Sequence, residues 1–146
     1  MNFHIKKRLG EILIESGKIT QTDLQKALEI QKSSGKKIGE ILIDMNLIQE
    51  EDLTLNLSIQ SHLPFIKIQD YQMSPDVLKV MPKGLAIKYK CIPIEKIGNV
   101  VSFVISDPST IEILKSQEQF LNCTMQFFIT TNSSLEKALK KHYGAL

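Results

Sequence analysis

Apolar residues fall into two registers along this chain. From Leu9 to Gln60 they recur at helical spacing: Leu9, Ile12 and Leu13, then Leu24, Ala27 and Leu28, with polar residues between them. Beyond residue 90 they come in short β-rich blocks, CIPIEKI, VVSFVIS and TMQFFIT, each bounded by turn residues. Between the two registers, SHLPFIKIQDYQMSP breaks both patterns with Pro64 and Pro75. The first register predicts a short helix over about 9–16, a stop at Gly17, and a longer helix opened by Thr20 as a hydroxyl cap, with Asp23 in its first turn.

The helical register is written twice. RLGEILIESGKITQTDLQKALEIQ (8–31) and KIGEILIDMNLIQEEDLTLNLSIQ (37–60) are both 24 residues long, agree at eleven positions and are separated by KSSGK. A repeat of this length suggests paired helical units, and two copies suggest a closed pair rather than a solenoid. Asn46 stands where the first copy has Gly17; asparagine tolerates the left-handed turn such a stop needs. Gly10 and Gly39 weaken a helix's first turn by up to about 1 kcal/mol each. Repeating that cost predicts close approach by a neighbouring helix or a ligand. Leu24, Leu28, Leu53 and Leu57 read first as core, at helical spacing. Arg8 and Lys37 precede the glycines at the helix starts. A cation gains nothing there from the helix dipole, but it can join exposed amides in gripping an anion. The bland alternative is a pair of solvated basic residues.

After the break, a short helix is predicted over 76–80, a tight turn at Pro82-Lys83-Gly84, and a strand edged by Pro93. A Gly98-Asn99 turn leads into a second strand. Asp107-Pro108 then caps a helix over about 109–120, a third strand follows, and NSSLEKALKKHYG closes as an amphipathic helix. The order β-β-α-β-α gives an α+β chain: a four-helix lobe of two repeated helix pairs over residues 1–62, a linker over 63–75, and a small α/β sandwich lobe over 76–146.

Composition narrows the function. Hydrophobic residues make up 42% of the 146, enough for a real core. Net charge is only +2, and residues 1–60 carry eight Lys and Arg against nine Asp and Glu, so neither half looks like a DNA reader. Cys91 and Cys123 read as buried reduced thiols; with no CxxC and no Cys/His cluster, no metal site is expected. No apolar run is long enough to span a membrane, and the N-terminus lacks a signal-peptide core. His4, His62 and His142 are scattered, no nucleophile has an evident base, and no catalytic residue is expected. No G-x-x-x-x-G-K-[ST] loop occurs, so the chain is not expected to be an ATPase.

On the doubled Leu-Gly…Leu…Leu…Gln unit and its five-residue spacer, the chain resembles the N-terminal domain of the hexameric ATPases that power bacterial type II secretion and type IV pilus assembly. MPKGLAIKYKCIPIEKIGNVVSFVISDPS and SLEKALKKHYG resemble the later part of the same domain, so the likeness runs nearly end to end. The second copy departs from the pattern at Lys37, Ile38 and Asn46. The resemblance implies a non-catalytic regulatory or docking domain in the cytoplasm, held at the inner face of the cytoplasmic membrane through protein partners. Those partners would be the inner-membrane platform or ATPase-core proteins, with no DNA and no cofactor. It further implies cyclic di-GMP as ligand, bound through the doubled motif. One half-site would be Arg8, Leu9, Gly10, Leu13, Leu24, Leu28 and Gln31. The other would be Lys37, Ile38, Gly39, Leu42, Leu53, Leu57 and Gln60, with Asp107 as a further guanine acceptor or, alternatively, a helix cap. A protein-interaction adaptor without nucleotide binding is the second function this family implies.

Overall fold

The structure is a computed structural model describing residues 8–144. The readings of the extreme N-terminus and of His4 lie outside the described residues. The chain divides into two compact units, the first ending at His62 and the second beginning at Leu63.

The first unit is helical throughout its described residues: α1 (Leu9–Glu15), α2 (Gln21–Ser34), α3 (Ile38–Asp44) and α4 (Glu50–Ser61). The repeat survives in the backbone almost angle for angle. Arg8 and Lys37 precede their helices at φ/ψ of −69/150 and −67/145, and the stop residues Gly17 and Asn46 sit at φ 77 and 59. Each short helix ends on the same bonds. The Gly17 and Asn46 amides donate to Ile14 and Ile43, and the Lys18 and Leu47 amides reach back to Leu13 and Leu42, which satisfies carbonyls the helix would otherwise leave open. Asn46 therefore fills the glycine role by adopting the left-handed conformation itself.

The copies interlock. The short helix of each lies on the long helix of the other, α1 on α4 and α2 on α3. Exchanging the copies turns one contact into the other, so the unit has approximate two-fold symmetry. Its core is Leu9, Leu13, Ile19, Ala27, Ile41, Leu42 and Ile48. The long helices were expected to bury leucines at spacing four. On α2 it is Ala27 that is fully buried, while Leu28 is 41% exposed. The reason is geometric: Ala27 faces the unit's core, and Leu28, one residue further on, is turned about 100° away from it.

The second unit contains α5 (Pro75–Leu78), α6 (Lys83–Tyr89), β1 (Cys91–Ile97), β2 (Val100–Ile105), α7 (Ile111–Lys115), α8 (Glu118–Leu121), β3 (Thr124–Ile129) and α9 (Asn132–Tyr143). The sheet order is β1-β2-β3, with β1 antiparallel and β3 parallel to central β2. Val101 to Ile105 on β2 are all buried, as in a strand covered on both faces. Pro93 sits on edge strand β1 beside a register shift, where its missing amide does least harm. Residues 63–70 join this unit: Phe65 bridges Ile129, and Ile68 is buried in the core.

Two local expectations are corrected. Pro82-Lys83-Gly84 is not a tight turn. Pro82 caps α6 with extended backbone (φ −59, ψ 140) and Lys83 and Gly84 already belong to the helix, a position where proline's missing N–H costs nothing. The helix expected over 109–120 is broken into a 3-10 turn (Pro108–Thr110), α7 and α8. Leu114 is the only residue of α7 or α8 that is fully buried, so little packing holds a single straight helix together.

Candidate functional site: the doubled helical motif

Each motif is built by one short and one long helix. Gly10 and Gly39 lie in the first turns of α1 and α3, and their lack of a side chain is used. A Cβ on Gly10 would lie 2.8 Å from a Leu24 methyl, and one on Gly39 would lie 2.6 Å from a Leu53 methyl. The approaching group is thus the leucine of the same copy's long helix. The two glycines create seats in which Leu24 and Leu53 are half-buried.

The long helices are started by reciprocal caps. The Asp23 amide donates to Thr20 Oγ1 (3.1 Å), and the Thr20 amide donates to the Asp23 carboxylate (3.0 Å). In the second copy Gln49 replaces threonine and makes the same box with Asp52, whose carboxylate accepts from the Gln49 amide at 3.0 Å. Asp23 and Asp52 are held below their ordinary pKa, chiefly by the backbone amides of Thr20 and Gln49. Asp52 alone also meets a cation from the other copy, Lys18, at 3.1 Å. The residue equivalent to Lys18 in the second copy is Leu47, so this ion pair breaks the symmetry.

The motif residues sort by exposure. Leu13 and Leu42 are wholly buried, and Leu9, Gly10 and Gly39 are buried beside them; these positions shape the unit. Ile38, Leu24, Leu53 and Leu57 are half-buried, and Leu28 is 41% exposed. Arg8 and Lys37 are exposed at the residue before each short helix, and neither side chain caps its helix. Arg8 is also the only arginine in the chain. Gln31 and Gln60 are half-buried near the ends of α2 and α4. The Gln31 amide donates to the Lys36 carbonyl at 3.2 Å, which ties the end of α2 to the residue before Lys37. Asp107 belongs to the second unit. There its carboxylate accepts from the Ser109 amide at 3.0 Å and caps the 3-10 turn.

Two features lay outside the sequence reading. The Lys18–Asp52 pair joins residues that only the interlocked fold brings together. Asn56 occupies the position of Ala27 and is buried, its amide bonded back to the Asp52 carbonyl at 2.7 Å; the Ala-to-Asn difference between the copies was the available signal. Among the described residues, no group of three or more His, Cys, Asp or Glu could hold a metal, and no helix is long and apolar enough to cross a membrane.

Comparison with known proteins gives three findings. The family model "MshEN domain" matches residues 61–146, more than half the chain. The type IV pilus assembly ATPases PilB of Myxococcus xanthus and of Thermus thermophilus are 30% and 29% identical over 137 and 142 residues. These stretches are 94% and 96% of this chain but only 24% and 16% of those proteins. The solved structure of MshE with cdg (cyclic di-GMP) superposes with a TM-score of 0.85 at 26% identity, covering 94% of this chain and 99% of that one.

Proposed function

The chain belongs to the MshEN domain family, the non-catalytic N-terminal domain of type II secretion and type IV pilus ATPases, and on that premise we propose that it binds cyclic di-GMP through its two 24-residue motifs. It would thereby act as a regulatory or docking domain. The observation that carries the reading is the approximate two-fold symmetry of the first unit. It repeats an exposed cation (Arg8, Lys37), a leucine on the long helix (Leu28, exposed; Leu57, half-buried) and a glutamine near a helix end (Gln31, Gln60). Cyclic di-GMP is itself two guanylate halves closed into a ring. The likeness to MshE with cdg adds support.

In this reading Arg8 and Lys37 meet phosphate charge. Leu24, Leu28, Leu53 and Leu57 lie against purine faces. The Gln31 and Gln60 amides, donor and acceptor at once, reach a guanine edge or a ribose-phosphate. Buried Leu9, Gly10, Leu13, Gly39 and Leu42, with half-buried Ile38, act from beneath by holding the surface in shape. The halves are unequal: arginine's planar fork makes paired bonds that a lysine cannot.

Calorimetric titration of the chain with cyclic di-GMP, with GTP and cyclic di-AMP as controls, tests this. Arg8→Ala is expected to lose about 1.5–3 kcal/mol, the worth of a charge-assisted bond, or roughly ten- to a hundredfold in affinity. Lys37→Arg should strengthen binding. Asp107→Asn keeps a capping oxygen; unchanged affinity removes Asp107 from the contact set. No heat at several temperatures, with no chemical-shift change at Arg8 or Gln31, would sink the nucleotide reading.

The second reading is a protein-interaction adaptor joining the ATPase to the inner-membrane platform without nucleotide. It draws on Leu55 and Ile59, one turn apart on α4 and 41% and 63% exposed. It leads if the titration is silent.

A further inference from the structure

We propose that the second unit carries a lysine face, built by α6 and α9, that docks on the anionic headgroups of a bilayer. The two helices and the Lys90 cap hold six lysines, Lys83, Lys88, Lys90, Lys137, Lys140 and Lys141, against one carboxylate, Glu136. That carboxylate is already engaged by Lys90 at 3.0 Å. Two of the lysines outside α9 are held against it by contacts within the unit. Lys90 reaches Glu136 on α9, and Lys83 Nζ lies beside Gly144 at the α9 end. The Tyr143 hydroxyl shares its one proton between the Leu78 and Met81 carbonyls (2.8 and 3.2 Å), pinning the end of α9 to the segment that leads into α6.

On α9 itself, Leu135 and Leu139 are fully buried, while Lys137, Lys140 and Lys141 are exposed at i, i+3 and i+4. They form one outward strip. The apolar side of the helix is occupied by its own core, so the contact reaches headgroups and does not insert.

The chemistry of the strip selects the occupant. Protein interfaces favour arginine and aromatic side chains and are poor in lysine, and this face has no arginine. A compact, strongly hydrated ammonium suits diffuse attraction to a charged surface. Each basic residue near an anionic bilayer contributes about 1 kcal/mol within a Debye length. The face is part of a folded unit, so no ordering of the chain opposes the contact.

The test is sedimentation of the 146-residue chain with vesicles of phosphatidylcholine, with and without phosphatidylglycerol, at low and high salt. Binding is expected only to the anionic vesicles and only at low salt. The triple substitution Lys137→Glu, Lys140→Glu, Lys141→Glu should weaken it on the order of a hundredfold, and the corresponding triple change to arginine should retain it. A control with the same charge change elsewhere, Lys26→Glu, Lys32→Glu, Lys115→Glu, should lose far less; circular dichroism checks that each variant is folded. Equal binding to neutral vesicles, no binding to anionic ones, or equal losses in both glutamate triples would overturn the proposal. So would displacement from the vesicles by duplex DNA at matched phosphate, which would make the face a nucleic-acid site instead.

Discussion

Gly10 and Gly39 show how a residue can be retained for the space it leaves. Replacing either with alanine gains up to about 1 kcal/mol of helix propensity. The new Cβ would nevertheless stand within 3.0 Å of leucine methyls at both sites, more tightly at Gly39 (2.6 Å) than at Gly10 (2.8 Å). Overpacking of this kind costs about 1–3 kcal/mol. These methyls are the far ends of half-buried side chains and can swing aside in part, so urea denaturation should find Gly39→Ala less stable than Gly10→Ala. In the Leu53→Ala background the cost of Gly39→Ala should shrink, because the clash is with that side chain. An additive double mutant would mean that the glycine serves something else. Asn56 makes the opposite case. It is buried where the first copy has Ala27, and the carbonyl it bonds lies in its own helix. Asn56→Ala removes a residue that competes with the helix backbone and should raise stability by about 0.5 kcal/mol. A lower urea midpoint would show that the amide contributes more than its single back-bond.

At the scale of the element, the long helices depend on reciprocal caps, and those caps carry a pH signature. Asp23 and Asp52 are depressed below 3.8, their ordinary value, chiefly by the amides of Thr20 and Gln49. A carboxylate depressed in the folded state contributes stability that is fully present above its unfolded pKa. That stability is lost as pH falls through the folded value. The share of the urea midpoint that these two carboxylates contribute should thus be flat near neutrality and decline once pH drops below 3.8. Asp52→Asn should flatten part of that decline, and Lys18→Ala should reduce the same part, since Lys18 is the second cause of the Asp52 shift. A decline unaltered by both substitutions would place the acid sensitivity elsewhere. The same helices change what Leu28 can report. Sequence spacing alone reads it as core, where truncation would open a cavity. At 41% exposure Leu28→Ala should cost less than about 1 kcal/mol, which makes it a usable probe of ligand contact.

Over the whole molecule, two separate cores carry the fold, and the free thiols Cys91 and Cys123 are buried in one of them. Burial pushes the Cys91 thiol up to about 12 and raises that of Cys123 as well. Both should resist a disulfide reagent near neutral pH and react only as the second unit opens. Thiol release against urea therefore reports the second unit, and substitutions at Asp52 should shift helical signal without shifting thiol release; rapid labelling in native buffer would contradict the buried placement. Much of this architecture was legible in the chain by itself. The repeat, its stop and cap residues, the three strands and the closing helix are all local signals, set by backbone propensity and side-chain period. The motif's cations and glutamines were legible as candidates because two copies of one pattern point to the same positions. The tertiary structure alone decided that the copies interlock, that leucines and not backbone fill the glycine seats, and that Lys18 meets Asp52. It also decided that Ala27 is buried while Leu28 faces outward, and that Lys83 and Lys90 lie against α9. The reason is physical: periodicity says which face of an element is apolar, but the partner it meets, and how closely, is fixed by packing between segments far apart in sequence.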